Sequence, residues 1–166
     1  MQLGLDISTT TTGYAISTQT KIYEMGFVDL KKYTDISDKA WALIDALNEL
    51  NDIESVKTIV VEDSLSGFSR GRTSQQTIIK LAKFNAVLVY CLEFAYGEIV
   101  DGVNPMTARK HLFGKARKQG VTAKDFVKKE INCLYNLEEY VKLTKTGLWD
   151  KRNMDAYDAL VCALYE

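Results

Sequence analysis

Four acidic residues stand where ordinary surface solvation does not account for them. Asp6 interrupts the apolar run "LGLDISTTTTGYAIS" (3–17), and Glu62 closes another, "TIVVED" (58–63). Asp155 and Asp158 lie three residues apart in "NMDAYDALVCALYE" (153–166). A buried charge without a partner is costly, so each of these acids calls for a cation or a hydrogen-bonded counterpart. The i,i+3 spacing puts Asp155 and Asp158 on one helix face, where like charges repel unless something sits between them. Asp155 alone is explained as a first-turn acid complementing the helix dipole, with Asn153 as the cap. Asp158, among Ala156, Ala159, Leu160 and Val161, is not. Strand alternation sends Glu62 and Asp63 to opposite faces. If the strands of Asp6 and Glu62 are adjacent and parallel, the two carboxylates converge, and a last helix laid on that sheet adds the other two. Four carboxylates at one point cannot all ionise unaided. Hard oxygen ligands favour Mg²⁺ or Mn²⁺, and two such ions about 4 Å apart suit cleavage of a phosphodiester.

The elements that must position these acids are legible from periodicity. Residues 2–8 and 12–18 read as strands joined through the threonine cluster. "KIYEMGFVD" (21–29) alternates, with Tyr23, Met25 and Phe27 on one face, and reads as a third. Short connections make these three an antiparallel meander. A helix follows over 35–50, with Asp35 and Ser37 as capping candidates. A buried strand spans 57–63, and a Gly- and Ser-rich loop 64–72. A long helix runs from about Ser74 to Ala95. Its second half, "AVLVYCLEFA", is apolar nearly all round, which implies burial in the core or against a partner subunit. A fifth strand over 97–103 leads into a helix opened by Asn104 and Pro105. A basic loop (114–120) precedes a helix started by Thr122 and Asp125. The last helix spans about 153–165. The order β-β-β-α-β-α-β-α-α-α predicts an α/β domain over 1–166: a mixed five-stranded sheet, three strands antiparallel and two parallel, with helices on both faces.

Composition sets the outer bounds. The chain has 166 residues, 46% hydrophobic and 26% charged, enough for one sizeable core without staples. No apolar stretch reaches the length of a membrane span, and no basic leader with a cleavage site is visible at the N-terminus. Cys91, Cys133 and Cys162 form no CxxC pair, each in an apolar helical setting that suggests core packing and a reducing, cytoplasmic compartment. The net charge of −1 hides a polar distribution. Residues 24–63 carry ten acids against four bases, whereas 64–90 and 109–118 carry four and five bases and no acid. That separation predicts a basic face suited to nucleic acid. Nothing asks for a small-molecule cofactor.

In order, "LGLDISTTTTGYAI", "IVVED" and "MDAYDALVCAL" resemble the RuvC family of Holliday-junction resolvases, within the RNase H-like superfamily. That family carries an Asp on the first strand, a Glu ending the fourth, and a D-x-x-D pair on the last helix. The resemblance implies those roles for Asp6, Glu62, Asp155 and Asp158, with two metal ions per active site. It further implies an RNase H-like sheet, a homodimer, and symmetric nicking of opposed strands in a four-way DNA junction. "LAKFNAVLVYCL" resembles the family's long helix, and "ARKHLFGKARKQGVTAKDFV" its basic region. There the family places lysines near the metals, and Arg109 and Lys124 fall closest to them. The gap between Glu62 and Asp155 is longer than in typical bacterial members. Residues 136–152 are the candidate insertion, and the small size suggests a phage-type member in a host cytoplasm.

The expected chemistry is in-line attack of water on a phosphodiester, leaving 5′-phosphate and 3′-hydroxyl ends. Asp6, central on the sheet, is the expected bridging ligand. Lys124 or Lys115 is expected to stabilise the charged phosphate. In "SGFSRGR" (66–72), Phe68 is placed to wedge or stack at an unpaired crossover, and Arg70 and Arg72 to hold phosphates. Arg109, Lys110 and Lys118 extend the expected DNA contacts. His111 reads as a surface or phosphate-adjacent residue rather than a catalytic one. Alternatives within nucleases are flaps, Y-forks or RNA–DNA hybrids as substrate. Outside them stand an idle DNA-binding module and an ATPase of the actin or sugar-kinase type, whose phosphate hairpin "DISTTTTG" also resembles. The ATPase needs a second such domain and a Gly-rich adenosine motif, and the sequence contains neither.

Overall fold

Alternation in two strands decides which side of the sheet the acids face. The structure, a computed structural model, describes residues 1–63, 74–97 and 100–165. Its strands are β1 (Gln2–Asp6), β2 (Thr11–Ser17), β3 (Ile22–Asp29), β4 (Thr58–Glu62) and β5 (Val100–Val103). They form one sheet in the order β3-β2-β1-β4-β5, with β1 and β4 parallel, β4 and β5 parallel, and the meander antiparallel. Leu3 and Leu5 of β1, and Ile59 and Val61 of β4, enter one core. The residues between them, Gly4 and Val60, therefore face the other side, and so do Asp6 and Glu62. The parallel register pairs Leu5 with Val61, so one step further along brings Asp6 beside Glu62.

The first core is closed by α1 (Ile36–Asn48) and α2 (Gln75–Tyr96), through Leu43, Ile44, Leu47, Phe84 and Leu88. Asp35 caps α1 by accepting from the amides of Ser37 and Asp38. Along α2, Phe84, Leu88, Cys91 and Leu92 are buried, but Tyr90 and Phe94 are 69% and 72% exposed. The core thus takes only one side of that apolar helix.

The opposite face carries α3 (Pro105–Phe113), α4 (Ala123–Leu134) and α5 (Asn153–Ala163). α5 is buried along nearly its whole length, as a helix apolar on every side must be. It lies on β1 and β2 across two glycines. A Cβ on Gly4 would strike the backbone of Ala159 and Ala163, and one on Gly13 the backbone of Asp155. At its far end the helix carbonyls are taken by the sheet. Gln2 donates to Cys162 and Tyr165, Ser17 to Ala163 and Gln19 to Leu164. The helix is fixed along its axis as well as in height.

Three expectations need correction. The register shifts at Ser17, which pairs with Ile22 while Ile16 pairs with Glu24. This bulge turns Tyr23 toward the α1–α2 core while Met25 stays on the α5 side. Asn153 does not cap α5. Its amide instead accepts from and donates to the Lys142 backbone, at 3.0 and 2.7 Å. Cys91 and Cys162 are core residues, but Cys133 is exposed. Among the described residues no helix is long and apolar enough to cross a membrane.

Candidate active site

The four acids meet at the C-terminal ends of β1 and β4, beneath the first turns of α5. Gly13 pairs with Asp6 across the β1–β2 ladder and lets the backbone of Asp155 come down onto the sheet at that point. Asp158 is buried, while Asp6, Glu62 and Asp155 each keep an edge open to solvent. Burial, followed by repulsion from Glu62, Asp158 and Asp155, pushes the Asp6 carboxyl well above its ordinary range. Burial and Asp158 together raise Glu62 to about 7. Burial also raises Asp158, against the pull of Arg109. Below the cluster the Cys162 thiol is pushed up as well, by burial and then by the negative charge of Glu62. It acts as packing, not as a nucleophile.

Two basic side chains answer the acids. Arg109 of α3 donates to Asp158 at 3.0 Å and is 11% exposed. Its Nε is buried with no hydrogen-bond partner among the described residues. Lys124, in the first turn of α4, reaches Asp155 at 3.3 Å and is 58% exposed. Although burial opposes it, the charge of Asp155 holds the Lys124 ammonium above its usual range. α4 is placed by its Thr122 cap, which accepts from the Asp125 amide, and by Phe126, Val127 and Ile131 in the core. The four carboxylates and two cations leave a formal charge of −2. An all-oxygen, net-negative set of this kind fits a hard divalent cation in chemistry. Among the described residues no three acidic, His or Cys side chains form a ready-made ligand set as they stand. Asp155 and Asp158 each commit an oxygen to a basic neighbour, so taking up an ion means exchanging those contacts.

The remaining predicted residues fall elsewhere. Lys115 pairs with Glu130 at 3.7 Å and lies over the Phe126 ring, and no contact ties it to the four acids. Lys110 and Lys118 are exposed. His111 is also exposed and meets Tyr165 edge-on at 5.3 Å. Phe68, Arg70 and Arg72 lie outside the described residues.

Sequence reasoning missed Lys39, a buried lysine of α1 that binds the turn following Asp6. The available signal was a lysine one turn ahead of Leu43 on the helix's apolar side. Reasoning from the sequence also missed the clasp around Arg152. This residue bonds Asp150 at 2.7 Å and Asp29 at 2.8 Å, and stacks on Phe27. It secures residues 136–152 against β3. Tyr140 adds a bond to the Ile22 carbonyl, and Trp149 packs under Lys128, one turn along α4 from Lys124.

Set beside known proteins, this sheet order and helix placement define an RNase H-like fold of the RuvC type. RuvC from Thermus thermophilus superposes over 98% of this chain and 90% of its own, with a TM-score of 0.66 at 15% identity. The same protein in complex with a Holliday junction substrate gives 0.68 at 16% identity, over 98% and 89%. The yeast mitochondrial Holliday junction resolvase Ydc2 gives 0.68 at 16% identity, over 98% and 75%. No protein-family model and no curated protein matches the sequence.

Proposed function

We propose that this chain is a metal-dependent, structure-selective endonuclease that resolves four-way DNA junctions by paired, symmetric nicks. The observation that carries this reading is the gathering of Asp6, Glu62, Asp155 and Asp158, from two strands and one helix, into a single repelling cluster. A fold shared with resolvases gives that cluster its context. When bound, two divalent cations, Mg²⁺ or Mn²⁺, supply Lewis-acid activation of the attacking water and of the leaving 3′ oxygen.

The chain's own residues do the rest. Asp6 and Glu62, side by side on rigid strands, form the floor of the cation site. Asp155 and Asp158 close it from α5, at a height fixed by Gly13. Lys124, largely exposed beside Asp155, is placed to bind the non-bridging oxygens of the scissile phosphate as charge builds on them. Arg109 lies deeper and holds Asp158 in place, which makes it a positioning residue rather than a direct DNA contact. Phe68, Arg70, Arg72, Lys110 and Lys118 are the proposed DNA contacts further out. Tyr90 and Phe94, on the uncovered side of α2, are the proposed homodimer surface. A two-fold axis there gives two sites for opposed strands.

The test is incubation of purified protein with synthetic four-way junctions and Mg²⁺, beside Asp6→Asn. Paired nicks at symmetric positions are expected from wild type only. Equal cutting of flaps, forks and hybrids would replace the junction as the preferred substrate. No metal-dependent cutting of any of them would remove the nuclease reading.

A further inference from the structure

Among the described residues Lys39 is the one buried lysine, 8% exposed, and none of their carboxylates forms a salt bridge with it. Its ammonium is instead spent on two backbone carbonyls from separate elements. It donates to Thr9 at 2.7 Å and to Leu30 at 2.8 Å. Thr9 belongs to the turn that follows Asp6, and Leu30 comes directly after β3. The two segments also bond to each other, from the Leu30 amide to the Thr10 carbonyl at 2.9 Å. Within the turn, Thr12 donates to the Ser8 carbonyl, and the Ser8 hydroxyl accepts from the Thr10 amide. A cation placed so deep among carbonyls has one evident effect: it fixes where those carbonyls point, and with them the exposed side of the turn, where the Ser8 and Thr10 hydroxyls lie 3.2 Å apart. Asp6 is thus held on two sides, with α5 on one face of the sheet and the Lys39-bound turn reached from α1 on the other.

We propose that Lys39 is a positioning residue for the turn Ser8–Thr10, setting the hydroxyls of Ser8 and Thr10 against the backbone of the nucleic acid beside Asp6. The inference deepens the nuclease reading and rests on it for the catalytic consequence. Its structural half stands without it. Ser8 and Thr9 are half-buried and Thr10 is exposed, so the outer side of the turn is open to a ligand while its inner side is tied down.

Lys39→Met keeps the length of the side chain and removes the donors, whereas Lys39→Arg keeps both charge and donors. Amide hydrogen exchange, followed on the protein without DNA, reads the turn directly. Lys39→Met is expected to speed exchange at residues 8–12 by at least about tenfold, with the α5 amides unchanged. On four-way junctions at saturation, kcat is expected to fall about 10- to 100-fold. Junction affinity measured in Ca²⁺ is expected to stay within about threefold. Lys39→Arg is expected to restore both exchange and kcat. Should Lys39→Met not fold, Lys39→Gln carries the same measurements. Wild-type exchange in the turn of a folded neutral variant would overturn the proposal. So would faster exchange across the whole chain, with cutting reduced only by the folded fraction. If wild type cuts no junction, the nuclease reading fails alone, and the exchange experiment still decides whether Lys39 holds the turn.

Discussion

Two regions of this molecule bring arginine and carboxylates together, with opposite results. Around Arg152 the guanidinium forks onto both Asp150 oxygens, reaches Asp29 and lies on Phe27. Hydrogen bonds from Arg152 hold Asp150 down to about 2, and Asp29 is also lowered, by the Lys31 amide first and then by nearby positive charge. Around Asp6 there are more acids than bases. Glu62 rises to about 7 and Asp6 and Asp158 rise with it. The first arrangement satisfies its charges and secures a segment. The second leaves its charges in conflict, which stabilises nothing within the chain and makes sense as a place for something to bind.

That contrast can be broken most severely at Asp6. Asp6→Asn is expected to lower junction nicking by roughly 10³-fold, the several kcal/mol that ion-based charge stabilisation supplies. The same change should raise Tm at pH 8 by roughly 2–5 °C, because it removes a buried, repelled charge. A paired nicking and melting experiment checks both. Next in size is Gly13→Ala, whose Cβ meets the Asp155 backbone. Overpacking of this kind costs about 1–3 kcal/mol, a Tm loss of roughly 2–10 °C. Nicking should fall by more than the folded fraction does, since Asp155 is lifted away from Asp6.

Arg152→Ala probes the satisfied region. The residue is more than a third exposed, so solvent screening limits its worth to about 1–2 kcal/mol. A Tm lower by a few degrees is expected, with protease cuts appearing within residues 136–152. Nicking per folded molecule should change little.

The two regions also separate by pH, because the sign of their dependence differs. Glu62 titrates near 7 when folded and near 4.3 when unfolded, so the folded state holds the extra proton between those values. Stability from this cluster therefore falls as pH rises through that window. Asp150 titrates near 2 when folded and near 3.9 when unfolded, so its contribution is lost as pH falls from about 4 toward 2. Melting curves from pH 2 to 8 should show a maximum between the two limbs. Glu62→Gln should flatten the upper limb and Arg152→Ala the lower.

Most of the architecture could be read from the sequence because it rests on short-range periodicity. The period-2 pattern of Leu3, Leu5, Ile59 and Val61 fixed the faces of Asp6 and Glu62, and the i,i+3 spacing paired Asp155 with Asp158. What escaped depends on contacts between distant residues. Arg109 meets Asp158 across 49 positions, and Lys39 meets Thr9 across 30. Asn153 has the chemistry of a cap, and only the folded segment before it shows that Lys142 uses its amide. The bulge that redirects Tyr23 is a local slip in a ladder and leaves no trace in the hydrophobic pattern. Lys115 lies in the basic loop, but its partner is Glu130 on the facing helix.

The most direct test of the central claim is calorimetric titration of Mn²⁺ into the wild-type protein at pH 6.5, in two buffers of different ionisation enthalpy. Saturable binding with net proton release is expected, since an ion must displace protons held by Glu62 and Asp6, and Asp6→Asn should lose it. Binding of equal strength to wild type and variant, or no binding to either, would contradict the claim that these four acids form a cation site.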